Sequence, residues 1–172
     1  MNYSMEGEET ERLTFRKLTV ADFEDWLPFH QEPKSSEFWT GLSKDPKVAC
    51  TDQFQRIFER YEKGMGGMHA LINKKTKKLV GICGLLLQIV DDIEELEIGY
   101  SILPEHWGKG YASEAAEKCK ATAFKNQWAN HLISIIHIDN EASKKVAIKN
   151  GMHIEKRTVY KENPVFIFRI DR

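Results

Sequence analysis

The residues with the plainest chemistry form the run Trp107-Gly108-Lys109-Gly110-Tyr111-Ala112. It follows a stretch of alternating apolar and polar residues, Glu94 to Leu103, which reads as a strand, and it precedes a run with helical spacing. A helix N-terminus carries unpaired backbone N–H groups and the positive end of the helix dipole, both suited to phosphate oxygens. Gly108 and Gly110 permit positive φ and close backbone approach, and Lys109 can add charge. Two other phosphate loops are excluded. A Walker A loop needs Ser or Thr after Gly-Lys, where this chain has Gly110; a dinucleotide fingerprint needs a third Gly or Ala, where it has Ser113. On these residues alone the run is either a phosphate cradle or a plain glycine-rich turn into a helix.

The elements that must position this loop can be read along the chain. Arg12 to Leu18 alternates as a half-buried strand, and Thr19 caps a short helix through Phe23, Trp26 and Leu27 that stops before Pro33. A turn-rich stretch from Gln31 to Lys47 holds the pair Phe38-Trp39. Thr51 is expected to cap a second helix, whose Phe54, Ile57, Phe58 and Tyr61 form one apolar stripe ended by Gly64. Met68 to Asn73 and Leu79 to Ile89 read as strands around a basic turn, Lys74 to Lys78, and Asp91-Asp92 turns the chain into the strand before the loop. After the loop, Ala112, Ala115, Ala116, Cys119 and Ala123 mark a helix with a small buried face, which lets its axis approach a sheet closely. Leu132 to Ile138 is a β-branched central strand, Glu141 to Asn150 a short helix closed by Gly151, and Met152 to Tyr160 with Val165 to Ile170 a hairpin turning at Glu162-Asn163-Pro164.

Bulk composition narrows the function classes. With 172 residues, 41% hydrophobic and 30% charged, the chain suits one globular domain able to bury a core without staples. Lys+Arg 25 against Asp+Glu 26 leaves a net charge of -1, so no bulk electrostatic case exists for a nucleic-acid or membrane partner. Cys50, Cys83 and Cys119 have no metal-like spacing and read as buried thiols; no metal is expected. Residues 1–11 are acidic, unlike a signal peptide, and are expected to form a flexible N-terminus ahead of a single domain at 12–172. The apolar run Gly81 to Val90 is too short to span a bilayer, and the chain reads as cytoplasmic, a monomer or homodimer.

The run Glu97-Ile98-Gly99-Tyr100-Ser101-Ile102-Leu103, Pro104, the loop at 107–112 and Ser113-Glu114-Ala115 together resemble the acetyl-CoA signature of the GCN5-related N-acetyltransferases (GNAT). The branch most resembled acetylates ribosomal-protein N-termini. Asn140-x-x-Ser143 and Lys149-Asn150-Gly151-Met152 are similar to the second conserved block of that branch. The resemblance implies an α/β (α+β) fold: a mixed, mostly antiparallel sheet of about seven strands flanked by about four helices, with two central strands splayed apart. Acetyl-CoA would lie in that gap as cosubstrate. Its pantetheine amides would pair with backbone near Ile102 and Leu103, and its pyrophosphate would rest on amides from Trp107, Gly108, Lys109, Gly110, Tyr111, Ala112 and Ser113. Asn140 would reach the pantetheine arm.

The implied acceptor is a primary amine, either a protein N-terminus or a small molecule. An α-amine has a pKa of about 8 and a lysine about 10.4, so the attacking amine must be deprotonated, a task for a carboxylate. Glu97 matches the family's Glu-Ile-Gly-Tyr run and is the candidate base; Glu94 and Glu95, nearer the strand start, read as solvated. A backbone N–H near Leu103 is the expected oxyanion donor. Many relatives place a Tyr acid where this chain has Ala147, while the ribosomal branch uses a Ser at the Ser143 position, which here is either the acid or a helix cap. That departure at Ala147 keeps a second reading open, a CoA-binding sensor or interaction module without catalysis. Met152 replaces the usual Phe, and His106 reads as a surface histidine. Phe38 and Trp39 fall where the family builds its acceptor pocket, though two aromatics under a long loop also suit a core.

Overall fold

The computed structural model describes residues 1–172. The strands are β1 (Leu13–Lys17), β2 (Gly66–Asn73), β3 (Leu79–Val90), β4 (Ile93–Ile102), β5 (His131–His137), β6 (His153–Tyr160) and β7 (Asn163–Asp171). The helices are α1 (Phe23–Gln31), α2 (Pro46–Lys63), α3 (Tyr111–Lys125) and α4 (Glu141–Lys149). All seven strands form one sheet in the order β1-β2-β3-β4-β5-β7-β6. Every neighbouring pair is antiparallel except β4 and β5, which run parallel at the centre. The expected mostly antiparallel seven-stranded sheet with four helices is the fold observed.

Helices cover both faces. On one, α3 lays Ala115, Ala116, Cys119 and Ala123 against Leu85, Leu96, Ile98 and Leu132, and α4 adds Ala147. On the other, α1 and α2 bring Trp26, Leu27, Phe54 and Ile57 onto Ala70, Ile82 and Leu103. Trp26 is fully buried, and its Nε1 donates to Gln53 Oε1 at 2.7 Å, so the indole's polar edge is satisfied inside this layer.

Two boundaries differ from those expected. Helix α2 starts five residues before Thr51, with Asp45 as N-cap accepting from Lys47 N (2.9 Å) and Pro46 in the first turn. Proline there keeps the fixed φ a helix needs and lacks only an N–H that would be unpaired anyway; in the sequence it looks like a breaker. The last hairpin turns at Lys161 and Glu162, both at positive φ, while Asn163 and Pro164 already belong to β7. A two-residue hairpin needs positive φ at both central positions, which proline cannot adopt.

Residues 1–11 lie against the domain. Met5 is fully buried, Tyr3 packs edge-on to Trp128, and Phe15 N donates to Glu8 O. His69 Nδ1–H donates to Gly67 O (3.0 Å), leaving Nε2 to accept from Met5 N (3.3 Å). Burial depresses the His69 pKa and keeps the ring neutral. No helix is long and apolar enough to cross a membrane.

Candidate active site

Strand β4 leads through a single turn at Pro104–His106 into the glycine-rich loop. Gly108 has φ 73° and Gly110 φ 81°, and Gly110 is the N-cap of α3. The first backbone bond of the helix runs from Glu114 N to Gly110 O, so the N–H groups of Tyr111, Ala112 and Ser113 have no intrahelical acceptor. Beside this helix start, an open cleft of about 410 Å³ is lined by Lys109, Gly110 and Ser113 on one side and Lys149-Asn150 on the other. Around it Glu114 is paired with Arg12 and Glu117 with Lys120, while Lys109 and Lys149 form no ion pair. The loop therefore presents free amides and two free cations, the requirements of a pyrophosphate. Trp107 folds back so that Nε1 donates to Ile102 O (2.8 Å). The Tyr111 ring is buried, with its hydroxyl accepting from Asn73 Nδ2 (3.1 Å). His106 is half-buried rather than a surface residue; burial lowers its pKa, and Lys109 and Lys78 add to that effect against Glu105.

Between β4 and β5 only one register pair exists, Glu97 with Ile133, next to which Ser134 Oγ donates to Ile98 O (2.9 Å). Past that point Gly99–Ile102 and Ile135–His137 diverge without pairing, which is the splayed gap. Leu103 N donates to Val80 O (3.0 Å), and its side chain is buried in the layer under α1 and α2. The expectation that Leu103 supplies a backbone group to the gap, or an oxyanion donor, is therefore corrected. In an antiparallel pair the backbone groups of successive residues point to opposite edges. Those of Leu103 and Ser101 go to β3; those of Ile102 and Tyr100 face the gap. Ile102, expected beside the pantetheine arm, thus lies on the gap edge, with its carbonyl accepting from Trp107 Nε1.

Glu97 sits where the two strands part, on the face under α1 and α2. Its Oε2 accepts from Gln88 Nε2 (2.8 Å) and Oε1 from Ile135 N across the opening (3.4 Å). The carboxylate is half-buried, and desolvation raises its pKa; Gln88, Ile135 N–H, Arg60 and Lys161 offset only part of that. Gln88 has its orientation imposed from behind, because Oε1 accepts from Arg60 Nη2 (2.8 Å) and Tyr160 OH (3.1 Å). None of these three partners stands out by residue type. The turn at Asp91-Asp92 was nonetheless legible, and it sets Gln88 opposite Glu95 and diagonal to Glu97. Glu94 is exposed as expected, whereas Glu95 is buried and bonded to His131 Nε2.

Helix α4 approaches from the other face. Asn140 is its N-cap, with Oδ1 accepting from Ser143 N (3.1 Å), and its amide nitrogen stays available. The capping role thus falls to Asn140. Ser143 is half-buried with its hydroxyl unbonded, and its carbonyl accepts from Tyr100 OH (2.9 Å), tying α4 to β4. Glu97 and Ser143 flank the gap from opposite faces of the sheet. Phe38 stacks on His137 (4.8 Å between rings) at the end of β5, so it borders the gap. Trp39 packs on Phe29 of α1 at 5.3 Å and is 38% exposed. Thr40 closes this loop onto the last hairpin through Lys161 O (3.3 Å). The three cysteines are buried and free, and no cluster of metal-ligating side chains occurs.

Comparison with known proteins bears on this arrangement. Residues 12–153 match the family described as Acetyltransferase (GNAT) domain. The chain is 34% identical over 139 residues to the uncharacterized protein YkkB of Bacillus subtilis, covering 80% of this chain and 78% of that one. An acetyltransferase from Agrobacterium tumefaciens superposes with a TM-score of 0.82 at 24% identity, covering 99% and 96% of the two chains. RimL, a ribosomal L7/L12 α-N-protein acetyltransferase in complex with coenzyme A, has the same fold with a TM-score of 0.72 at 13% identity, covering 96% and 97%. With a family match over residues 12–153, most of its length, this chain belongs to the GNAT acetyltransferases.

Proposed function

We propose that this protein transfers the acetyl group of acetyl-CoA to a primary amine by direct attack, with Glu97 as the base. The observation that carries this reading is the position of Glu97: a half-buried carboxylate of raised pKa at the point where β4 and β5 part. The groups present fit the cosubstrate. Free amides at Tyr111–Ser113 with Lys109 and Lys149 suit a pyrophosphate, and the gap-facing backbone of Tyr100 and Ile102 suits a chain of amides. Bound acetyl-CoA supplies an activated acyl thioester. Glu97, at the mouth bordered by Phe38 and His137, accepts the proton of the incoming ammonium, and its raised pKa brings it closer to that of the amine. The N–H of Tyr100 or Ile102 can donate to negative charge developing in the gap. Ser143, on the opposite face with a free hydroxyl, gives a proton to the departing thiolate in this reading.

The acceptor class most favoured is a protein N-terminus, by likeness to the ribosomal branch; small amines are the alternative. The test is thiol release from acetyl-CoA over peptides with varied N-termini and over small amines. Turnover on at least one amine is expected. Tight CoA binding with no turnover on any acceptor would point instead to a CoA-binding module, the reading that Ala147 favours.

A further inference from the structure

The glycine-rich loop has two residues at positive φ and few contacts of its own, yet its amides must be fixed before they can act as a cradle. One side chain from outside the loop reaches it at several points. Arg12, just before β1, donates Nη1–H to Lys109 O (2.9 Å) and lies 4.3 Å over the Tyr111 ring. Its Nε and Nη2 both reach Glu114 Oε2 at 2.7 Å. Glu114 Oε1 takes two more bonds from the same segment, from Thr10 Oγ1 (2.7 Å) and Arg12 N (3.0 Å). Burial tends to raise the Glu114 pKa, but these bonds outweigh it and the carboxylate is held charged.

Charge makes the arrangement consequential. Glu114 stands in the first turn of α3, beside the amides that would hold a pyrophosphate, where an uncompensated carboxylate repels the ligand. A guanidinium can satisfy this carboxylate through two nitrogens and a loop carbonyl through a third; an ammonium has no such planar fork.

We infer that Arg12 is a positioning residue for the donor substrate, locking the loop through Lys109 O and neutralising Glu114 so that the start of α3 accepts a pyrophosphate. This rests on the proposed acetyl-CoA reading of the cleft. The test compares two acetyl donors with one acceptor: acetyl-CoA, and S-acetylpantetheine, which lacks the pyrophosphate. Arg12→Gln should lower kcat/KM for acetyl-CoA by about tenfold to a hundredfold, the loss expected for charge-assisted hydrogen bonds. With S-acetylpantetheine it should stay close to wild type. Arg12→Lys should recover only part of the loss, and Arg12→Gln combined with Glu114→Gln should recover more, because the repelling carboxylate is gone. Equal losses with both donors, or no loss with either, would overturn the inference, as would a double variant no better than Arg12→Gln. Were the wild type itself to use both donors equally, the pyrophosphate seat would fail at its root, an outcome visible without any variant.

Discussion

The two ends of the β4–β5 cleft are assembled differently. At the loop end, the groups proposed to meet a ligand are backbone amides from one continuous stretch, 108–113, with Arg12 as the outside brace. At the Glu97 end, a side chain of β4 is held by β3, which is held in turn by α2 and β6. Amides are insensitive to most side-chain changes and fail only when backbone shape fails. A carboxylate held through three other side chains fails one partner at a time, and each failure alters its proton affinity.

Glu97→Gln should have the largest effect. Loss of the proposed base is expected to lower kcat/KM by about 10²–10⁴-fold near neutral pH, with CoA affinity measured by calorimetry unchanged. The same variant should be slightly more stable than wild type at neutral pH. A Glu whose native pKa is raised favours the fold most when protonated, and that stability is lost as pH rises from about 4.3 through the native value. Unaltered turnover would move the catalytic role away from this end.

Gly110→Val should act only at the other end. At φ 81° a β-branched residue is strained by about 1–3 kcal/mol, which converts to roughly tenfold to a hundredfold weaker CoA binding. Saturating kcat should be nearly preserved; a drop in kcat as large as the loss of affinity would show that the two ends are coupled. Gln88→Met removes a charge-assisted bond of about 1.5–3 kcal/mol from Glu97, so the acidic limb of the kcat/KM–pH profile should shift to higher pH. An unmoved limb would mean that Gln88 does not set the proton affinity of the base.

Acid should separate the ends further. His69 has a depressed native pKa, so the stability it gives the N-terminal segment is present above about 6.5 and lost as pH falls below that. Protection factors of amides near Met5, which donates to His69, should therefore fall between pH 6.5 and 5, while strands around Glu97 gain protection or hold steady. Asn140→Ala gives the smallest effect, a loss of about 1 kcal/mol of stability from an uncapped α4, read as a lower Tm.

What could be read in the sequence follows the same division. The loop, its helix and the strand before it depend on contacts within a few residues: positive-φ glycines, a small-residue stripe, an alternating strand. Their order along the chain is their order in space, so Gly108, Gly110 and the amides up to Ser113 were identifiable from residue type and spacing. Glu97 was singled out by the resemblance of its neighbours. Its pinning by Gln88, Arg60 and Tyr160 depends on hairpin register and on α2 crossing the sheet, and no short-range pattern encodes that. Leu103 was misplaced by one residue because alternation along a strand identifies an edge only once the pairing partner is known. Arg12 looked like the polar half of a strand until folding brought it beside Glu114, 102 positions away. Local backbone preference thus determined the loop proposed to hold a phosphate; long-range packing decided which side chains brace that loop and how strongly Glu97 holds its proton.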